Sequence, residues 1–222
     1  MGTITENIKE HLEHIPSNVK LIAVSKKKTA ADIREAYDAG QRAFGENYVQ
    51  ELTDKHTELP SDIEWHFIGH LQSNKVKFIA PFVSWIHAVE SEKLLNEINK
   101  EATKNGRAIN CLLQVHVAEE ESKFGFSEKE IIDFCNKTDF TKYQNAKICG
   151  IMGMASFTEN MEQVRKEFKT LQRIMGELQA GAFILDTDFK EISMGMSSDW
   201  KIAVEEGSTM VRIGSAIFGS RN

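Results

Sequence analysis

Lys26 is the first residue in this sequence whose type and setting can do chemistry. The apolar run Leu21-Ile22-Ala23-Val24 stops at Ser25, and Lys26, Lys27 and Lys28 follow in succession. A short run with that β-branched content reads as a buried strand, so Lys26 would stand where the backbone leaves the core. Partial desolvation and two neighbouring ammonium groups disfavour its charged form, which suits an amine that attacks a carbonyl carbon. Taken alone, the segment reads more simply as three solvated charges over a strand end. Near the C-terminus, the segments 194–200 (MGMSSDW) and 212–216 (RIGSA) each place small residues at an expected helix start. Free backbone N–H groups and the helix dipole favour an anion there, with Ser197 adding a hydroxyl and Gly195 room for close approach. Gly214 and Ser215 offer the same from the other side. The simpler reading of the first segment is that Ser197, Ser198 and Asp199 cap their own helix. Arg212 lies between Val211 and Ile213, so in a strand its side chain points away from theirs. It suits an ion pair with a carboxylate, or contact with a ligand's ring nitrogen.

These groups need a frame that brings residue 26 to residues 197–215. Ile4, Ile8, Leu12 and Ile15 are spaced as in a helix over 3–15, which Pro16 ends. Strand patterns follow at 20–25, 42–45, 63–68, 83–89, 109–117, 147–153, 191–195 and 209–214. Between them lie helix patterns at 29–39, 46–58, 71–80, 91–105, 127–137, 160–178 and 198–206, the fifth opened by a capping box, Ser127-x-x-Glu130. Eight strand signals alternating with seven helix signals, with almost no hairpin turns, imply parallel strands and right-handed crossovers. The count predicts a (β/α)8 barrel with an extra N-terminal helix, residues 1–222 forming one domain; an open doubly wound sheet is the alternative. In such a barrel, functional groups collect at the C-terminal ends of strands, often with a phosphate site after strands 7 and 8. Both glycine-serine segments fall there.

Composition narrows the function. The 222 residues are 41% hydrophobic and 27% charged with three prolines, ordinary for a globular chain and wrong for a disordered one. A net charge of −6 gives no general attraction to nucleic acid or to an anionic membrane. No apolar stretch approaches the roughly 20 residues a bilayer span needs. The N-terminal MGTITENIKEHLEHI has neither an apolar signal core nor a basic leader, so the expected location is cytoplasmic. Cys111, Cys135 and Cys149 are widely separated and set mostly among apolar residues, which suits small core residues better than a disulfide framework or a zinc site. His66 and His70 lack a third partner for a closed ligand set, so no metal is expected.

Several segments together carry a resemblance. AVSKKK (23–28), FGENYVQE (44–51), WHFIGHLQSNK (65–75), SKFG (122–125), GIMGMA (150–155), SMGMSSDW (193–200) and GSTMVRIGSAIFG (207–219) are similar to those of the pyridoxal 5′-phosphate homeostasis proteins, the YggS/PROSC group. The resemblance runs from the first strand to the C-terminus. It implies the barrel of the alanine racemase N-terminal domain and pyridoxal 5′-phosphate as cofactor. By the same resemblance Lys26 forms the Schiff base, Ser197, Gly214 and Ser215 hold the phosphate, Arg212 faces the pyridine nitrogen, and Asn47 stands near the cofactor. His66 would neighbour the ring or be a satisfied core residue. An arginine at the ring nitrogen is always charged, so it donates there and weakens the ring as an electron sink. Racemases with this arrangement also use a tyrosine from a C-terminal β domain as second acid/base. This sequence ends at Asn222, and Tyr37, Tyr48 and Tyr143 have no expected place opposite Lys26. The implied function is pyridoxal phosphate binding in intracellular vitamin B6 homeostasis with little or no turnover and no catalytic residue, by a monomer that passes cofactor to apo-enzymes. The alternative is a pyridoxal-phosphate-dependent amino-acid racemase or another small enzyme using that cofactor. The sequence departs from the commonest family spelling at SKKKT, MAS and VRIGSAIFG, where Ser215 keeps the hydroxyl.

Overall fold

The computed structural model describes residues 2–119 and 124–219, so Ser122 and Lys123 of the SKFG segment lie outside the described residues. Strands β1 (Lys20–Val24), β2 (Ala43–Glu46), β3 (Glu64–Phe67), β4 (Trp85–Val89), β5 (Ile109–His116), β6 (Ala146–Met154), β7 (Glu191–Ser193) and β8 (Met210–Ile213) close into a parallel barrel in sequence order. β8 returns to β1 in the register Leu21↔Val211, Ile22↔Arg212 and Ala23↔Ile213. Around it lie α1 (Ile4–His14), α2 (Ala30–Asp38), α3 (Val49–Glu58), α4 (Val76–Ile79), α5 (Glu92–Lys104), α6 (Glu128–Lys137), α7 (Met161–Ala180), α8 (Trp200–Glu205) and α9 (Ser215–Phe218). This is the barrel expected from the alternation, and α1 is its extra N-terminal helix.

Period-two alternation sorts each strand between two cores. Leu21, Ala23, Phe44, Trp65, Phe67, Val211 and Ile213 pack outward with the buried faces of the helices, such as Val164, Phe168, Leu171 and Met175 of α7. Ile22, Ala43, Trp85, Leu112, Cys149, Met152 and Met210 fill the inside of the barrel. α1 opens with a Thr3–Glu6 capping box, and its Asn7 Nδ2 donates to Ile217 O in α9 at 2.8 Å, tying the two ends of the chain together. Cys111, Cys135 and Cys149 are free and buried. Burial pushes their thiols up, Cys135 to about 12 and Cys149 to about 11, so they behave as the small core residues expected of them.

The boundaries differ in places. Glu46 belongs to β2 rather than to the following helix, because its carboxylate is drawn into a buried ion pair. Residues 71–80 form a 3-10 turn, Ser73–Lys75, before the single turn of α4. β4 starts at Trp85, two residues later than its apolar pattern. α8 starts at Trp200 rather than at residue 198, because the Asp199 side chain accepts from the Met196 N–H and folds the preceding residues into a turn. The short α9 after β8 starts within 212–216, where the sequence places a helix start.

Candidate functional site

In β1 the inward positions are Ile22 and Val24, and Lys26 is next in that parity, just past the strand's C-terminal end. It is partly buried and lines a hollow of about 310 Å³ at the C-terminal mouth of the barrel. Asn47 from the β2–α3 loop, Ser197 from the β7–α8 loop, Arg212 from β8, and Gly214 and Ser215 line the same hollow. The six residues singled out from sequence are therefore together, although residue 26 and residue 215 are nearly the whole chain apart. Val24, Ile68, Met154 and Met196 supply apolar wall, and among the described residues no aspartate, glutamate, histidine or tyrosine lines it. A larger hollow of about 550 Å³ adjoins it at Asn47, lined by residues such as Tyr48, His70, Lys75 and Phe78, but it has neither Lys26 nor the glycine-serine turns.

Ser197 Oγ accepts from the backbone N–H of Gly214 at 3.2 Å and of Ala216 at 3.4 Å. An oxygen thus sits where backbone donors converge, which is the environment a phosphate oxygen requires. Gly195 does not provide ligand access as expected. Its φ is +94°, and an added Cβ would lie 2.6 Å from Ala203 Cβ, so the glycine serves the tight turn against α8.

Arg212 is 4% exposed. It donates to Ser193 Oγ at 2.6 Å and to Gly153 O at 3.0 Å rather than to a carboxylate. Burial pushes its pKa down to about 10, with the Asp199 carboxylate working the other way, so it is charged at neutral pH.

Beneath Lys26 lies a cluster that sequence reasoning missed. Lys55 Nζ donates to Ser25 O at 2.8 Å, Glu46 Oε1 at 2.7 Å and Glu51 Oε1 at 2.6 Å. Ser25 Oγ donates to Glu46 Oε1 at 2.6 Å, and the backbone N–H of Lys27 donates to Glu51 Oε1. Lys27 carries a φ of +61°, and this cluster clamps the turn on which Lys26 sits. Burial raises the Glu46 pKa, and Lys55 opposes it. The Glu51–Lys55 spacing was a signal, but i,i+4 pairs usually mark a solvated face.

The barrel interior holds a second missed group, in which His66 and His87 are fully buried. At the N-terminal mouth, opposite Lys26, Glu64 accepts from Lys20 Nζ at 2.8 and 3.0 Å and from Trp85 Nε1 at 2.6 Å. Partial burial pushes the Glu64 pKa up, but His66 and Lys20 hold it down to about 2. A carboxylate depressed on folding contributes stability above its unfolded pKa of 4.5 and loses it as pH falls toward about 2. Urea midpoints measured from pH 5 to pH 2.5 are therefore expected to fall less steeply for Glu64→Gln than for the native chain; parallel curves would refute this linkage.

The family model for the alanine racemase N-terminal domain matches residues 1–222. The pyridoxal phosphate homeostasis protein of Vibrio alginolyticus is 37% identical over 97% of this chain and 98% of its own length. PipY of Synechococcus elongatus has been solved without and with pyridoxal phosphate bound. The structure without it matches at a TM-score of 0.91 and 37% identity over 98% of this chain and 100% of that one. The structure with it bound matches at 0.88 and 36%, with the same coverage. An alanine racemase from Bartonella henselae, 17% identical, shares the fold at a TM-score of 0.74 over 98% of this chain and 58% of its own.

Proposed function

This chain belongs to the alanine racemase N-terminal domain family, among its pyridoxal phosphate homeostasis proteins, and from that premise we propose that it holds pyridoxal 5′-phosphate as a Schiff base on Lys26. In this role it takes part in vitamin B6 homeostasis with little or no turnover. When bound, the cofactor supplies an aldehyde that condenses reversibly with a primary amine. The observation that carries the reading is the convergence of Lys26, the Ser197–Gly214–Ser215 turns and Arg212 on one hollow. Lys26 brings the amine, and the backbone donors gathered at Ser197, with Gly214 and Ser215, take the phosphate. Arg212, braced by Ser193 and Gly153, would offer its cation to the ring nitrogen, and Asn47 would stand near the cofactor. The apolar wall of Ile68, Met154 and Met196 limits water around the amine.

The proposal of low turnover rests on the same lining: beside Lys26, the described residues offer no second group able to exchange a proton near neutral pH. Tyr37 is engaged with Asp62 and Tyr143 lies near Glu92, while Tyr48 belongs to the adjoining hollow. The reading extends to a cytoplasmic monomer that passes the aldehyde to apo-enzymes.

Purified protein mixed with pyridoxal phosphate is expected to absorb in the visible. Borohydride should remove that band while fixing the added mass on Lys26. Mass on any other residue, or none, would overturn the assignment. Cα-proton exchange of added amino acids in deuterated water is expected to stay near the level of free cofactor; rapid stereochemical inversion would favour a racemase instead.

A further inference from the structure

A line of side chains crosses the barrel from the mouth opposite Lys26 to Arg212. Arg212 donates to Ser193 Oγ at 2.6 Å, and His87 Nδ1 lies 3.0 Å from the same oxygen. His87 Nε2 is 2.9 Å from His66 Nδ1, and His66 Nε2 is 3.3 Å from Glu64 Oε1. That last contact is the loosest link, bent away from hydrogen-bond geometry. Its ends are chemically unequal, since a guanidinium has only donors and an ionised carboxylate only acceptors.

These ends decide where the protons between them go. Starting from Glu64, His66 must offer Nε2–H, so its Nδ1 accepts from His87 Nε2–H. His87 Nδ1 is then an acceptor for the Ser193 hydroxyl, whose oxygen accepts from Arg212. Each hydrogen-bonded link holds one proton, the His66 Nε2–H faces the Glu64 charge, and both rings are neutral. The opposite order turns the His66 Nε2 lone pair toward a carboxylate and leaves the buried Ser193 proton without an acceptor in this line. Protonating His66 with this order kept would set its Nδ1–H against His87 Nε2–H, and protonating His87 would take the acceptor from the Ser193 proton, in an interior already holding Arg212 with Lys20 at its mouth. The groups facing His66 are Glu64, His87 and the Trp85 ring stacked at 5.7 Å; those facing His87 are His66, Trp85, Ser193 and Arg212. Burial also lowers both histidine pKa values, in keeping with neutral rings.

We propose that Glu64 is a positioning residue for Arg212: acting through His66, His87 and Ser193, it imposes neutral Nε2–H tautomers on both histidines and keeps the Ser193 oxygen oriented to brace the guanidinium. The hydrogen bonds from His66 through His87 and Ser193 to Arg212 strengthen one another, and the Glu64 charge 3.3 Å from His66 Nε2 biases their near end, so a change at Glu64 is felt at the far mouth. For its effect on the cofactor alone, the inference rests on the reading of Arg212 given above.

The test reads the apo protein labelled with 15N-histidine and 15N-arginine, by two-bond 1H–15N spectra from pH 5.5 to pH 8. His66 and His87 are expected to show protonated Nε2 and unprotonated Nδ1 throughout; a charged ring or an Nδ1–H form in either would overturn the proposal. In Glu64→Gln, whose amide can donate as well as accept, His87 is expected to become a mixture of tautomers and the Arg212 side-chain signal to shift. His87 and Arg212 signals unchanged there would also overturn it. Should that variant fail to fold, Ser193→Ala breaks the line next to Arg212, and the same readout applies to His87. Pyridoxal phosphate affinity is expected to fall about fivefold in Glu64→Gln. Because the histidines are read without cofactor, failure to form a Schiff base would sink the proposed function and leave this coupling in place.

Discussion

Lys26→Ala is expected to remove the visible absorption of the protein mixed with pyridoxal phosphate and to abolish borohydride fixation. Affinity is expected to drop at least about a hundredfold, equivalent to about 2.7 kcal/mol. The effect is large because, among the described residues, no other primary amine lines the hollow to take over the covalent bond. It is also selective. Lys26 lies past the end of β1 and is partly exposed, and the ion pairs clamping its turn are made by Glu46, Glu51 and Lys55. Thermal stability without cofactor should accordingly change by about 1 kcal/mol or less, the ordinary scale for the contacts of a half-exposed side chain. Residual binding through the phosphate turns and Arg212 would leave a weak spectrum of free aldehyde. A variant that binds as tightly as the native chain would refute the role of this amine.

Lys55→Met is expected to cost about 3–5 kcal/mol at neutral pH, the usual penalty for stranding a buried charge. Glu46 is fully buried and Lys55 is 6% exposed, and Glu46 Oε2 already lacks a hydrogen-bond partner. Without the ammonium group, the Ser25 hydroxyl is the one remaining side-chain partner in this cluster for that carboxylate. The pH dependence has a definite sign. Burial already lifts the Glu46 pKa above its ordinary 4.5, and losing Lys55 lifts it further. An acid whose folded pKa exceeds its unfolded one loses stability as pH rises through that interval. The deficit of Lys55→Met should therefore be greatest at pH 7.5 and shrink on acidification toward pH 5, and the double variant with Glu46→Gln should recover part of it. Urea midpoints at the two pH values measure this, and a deficit independent of pH would contradict it. Because Glu51 holds the Lys27 backbone, the variant is also expected to weaken Schiff-base formation on the adjoining Lys26.

The two predictions differ in how far sequence reasoning could see. Lys26 follows an apolar strand, and strand parity places it on the inner side once the barrel is known. Arg212 between Val211 and Ile213 obeys the same rule, and the β1–β8 pairing sets it beside Ile22. Glu46 and Lys55 gave a misleading pattern. A glutamate followed by a helix reads as part of that helix, and a lysine four residues after a glutamate reads as surface, until both are enclosed between β2 and α3. Gly195 misled differently: its glycine meets a packing demand of α8, not a ligand.

By itself the order of residues determined the alternation of strands and helices, hence the closed barrel, and it determined which residues stand at the C-terminal strand ends. These properties depend on local periodicity and on parity within a strand, which are written along the chain. Only tertiary structure decided which charges are buried and what they meet there. Lys55 against Glu46, and Glu64 through two histidines toward Arg212, join strands and helices distant in sequence. A polar side chain acquires its partners, its proton and its cost of desolvation from whatever the closed barrel brings within about 3 Å of it.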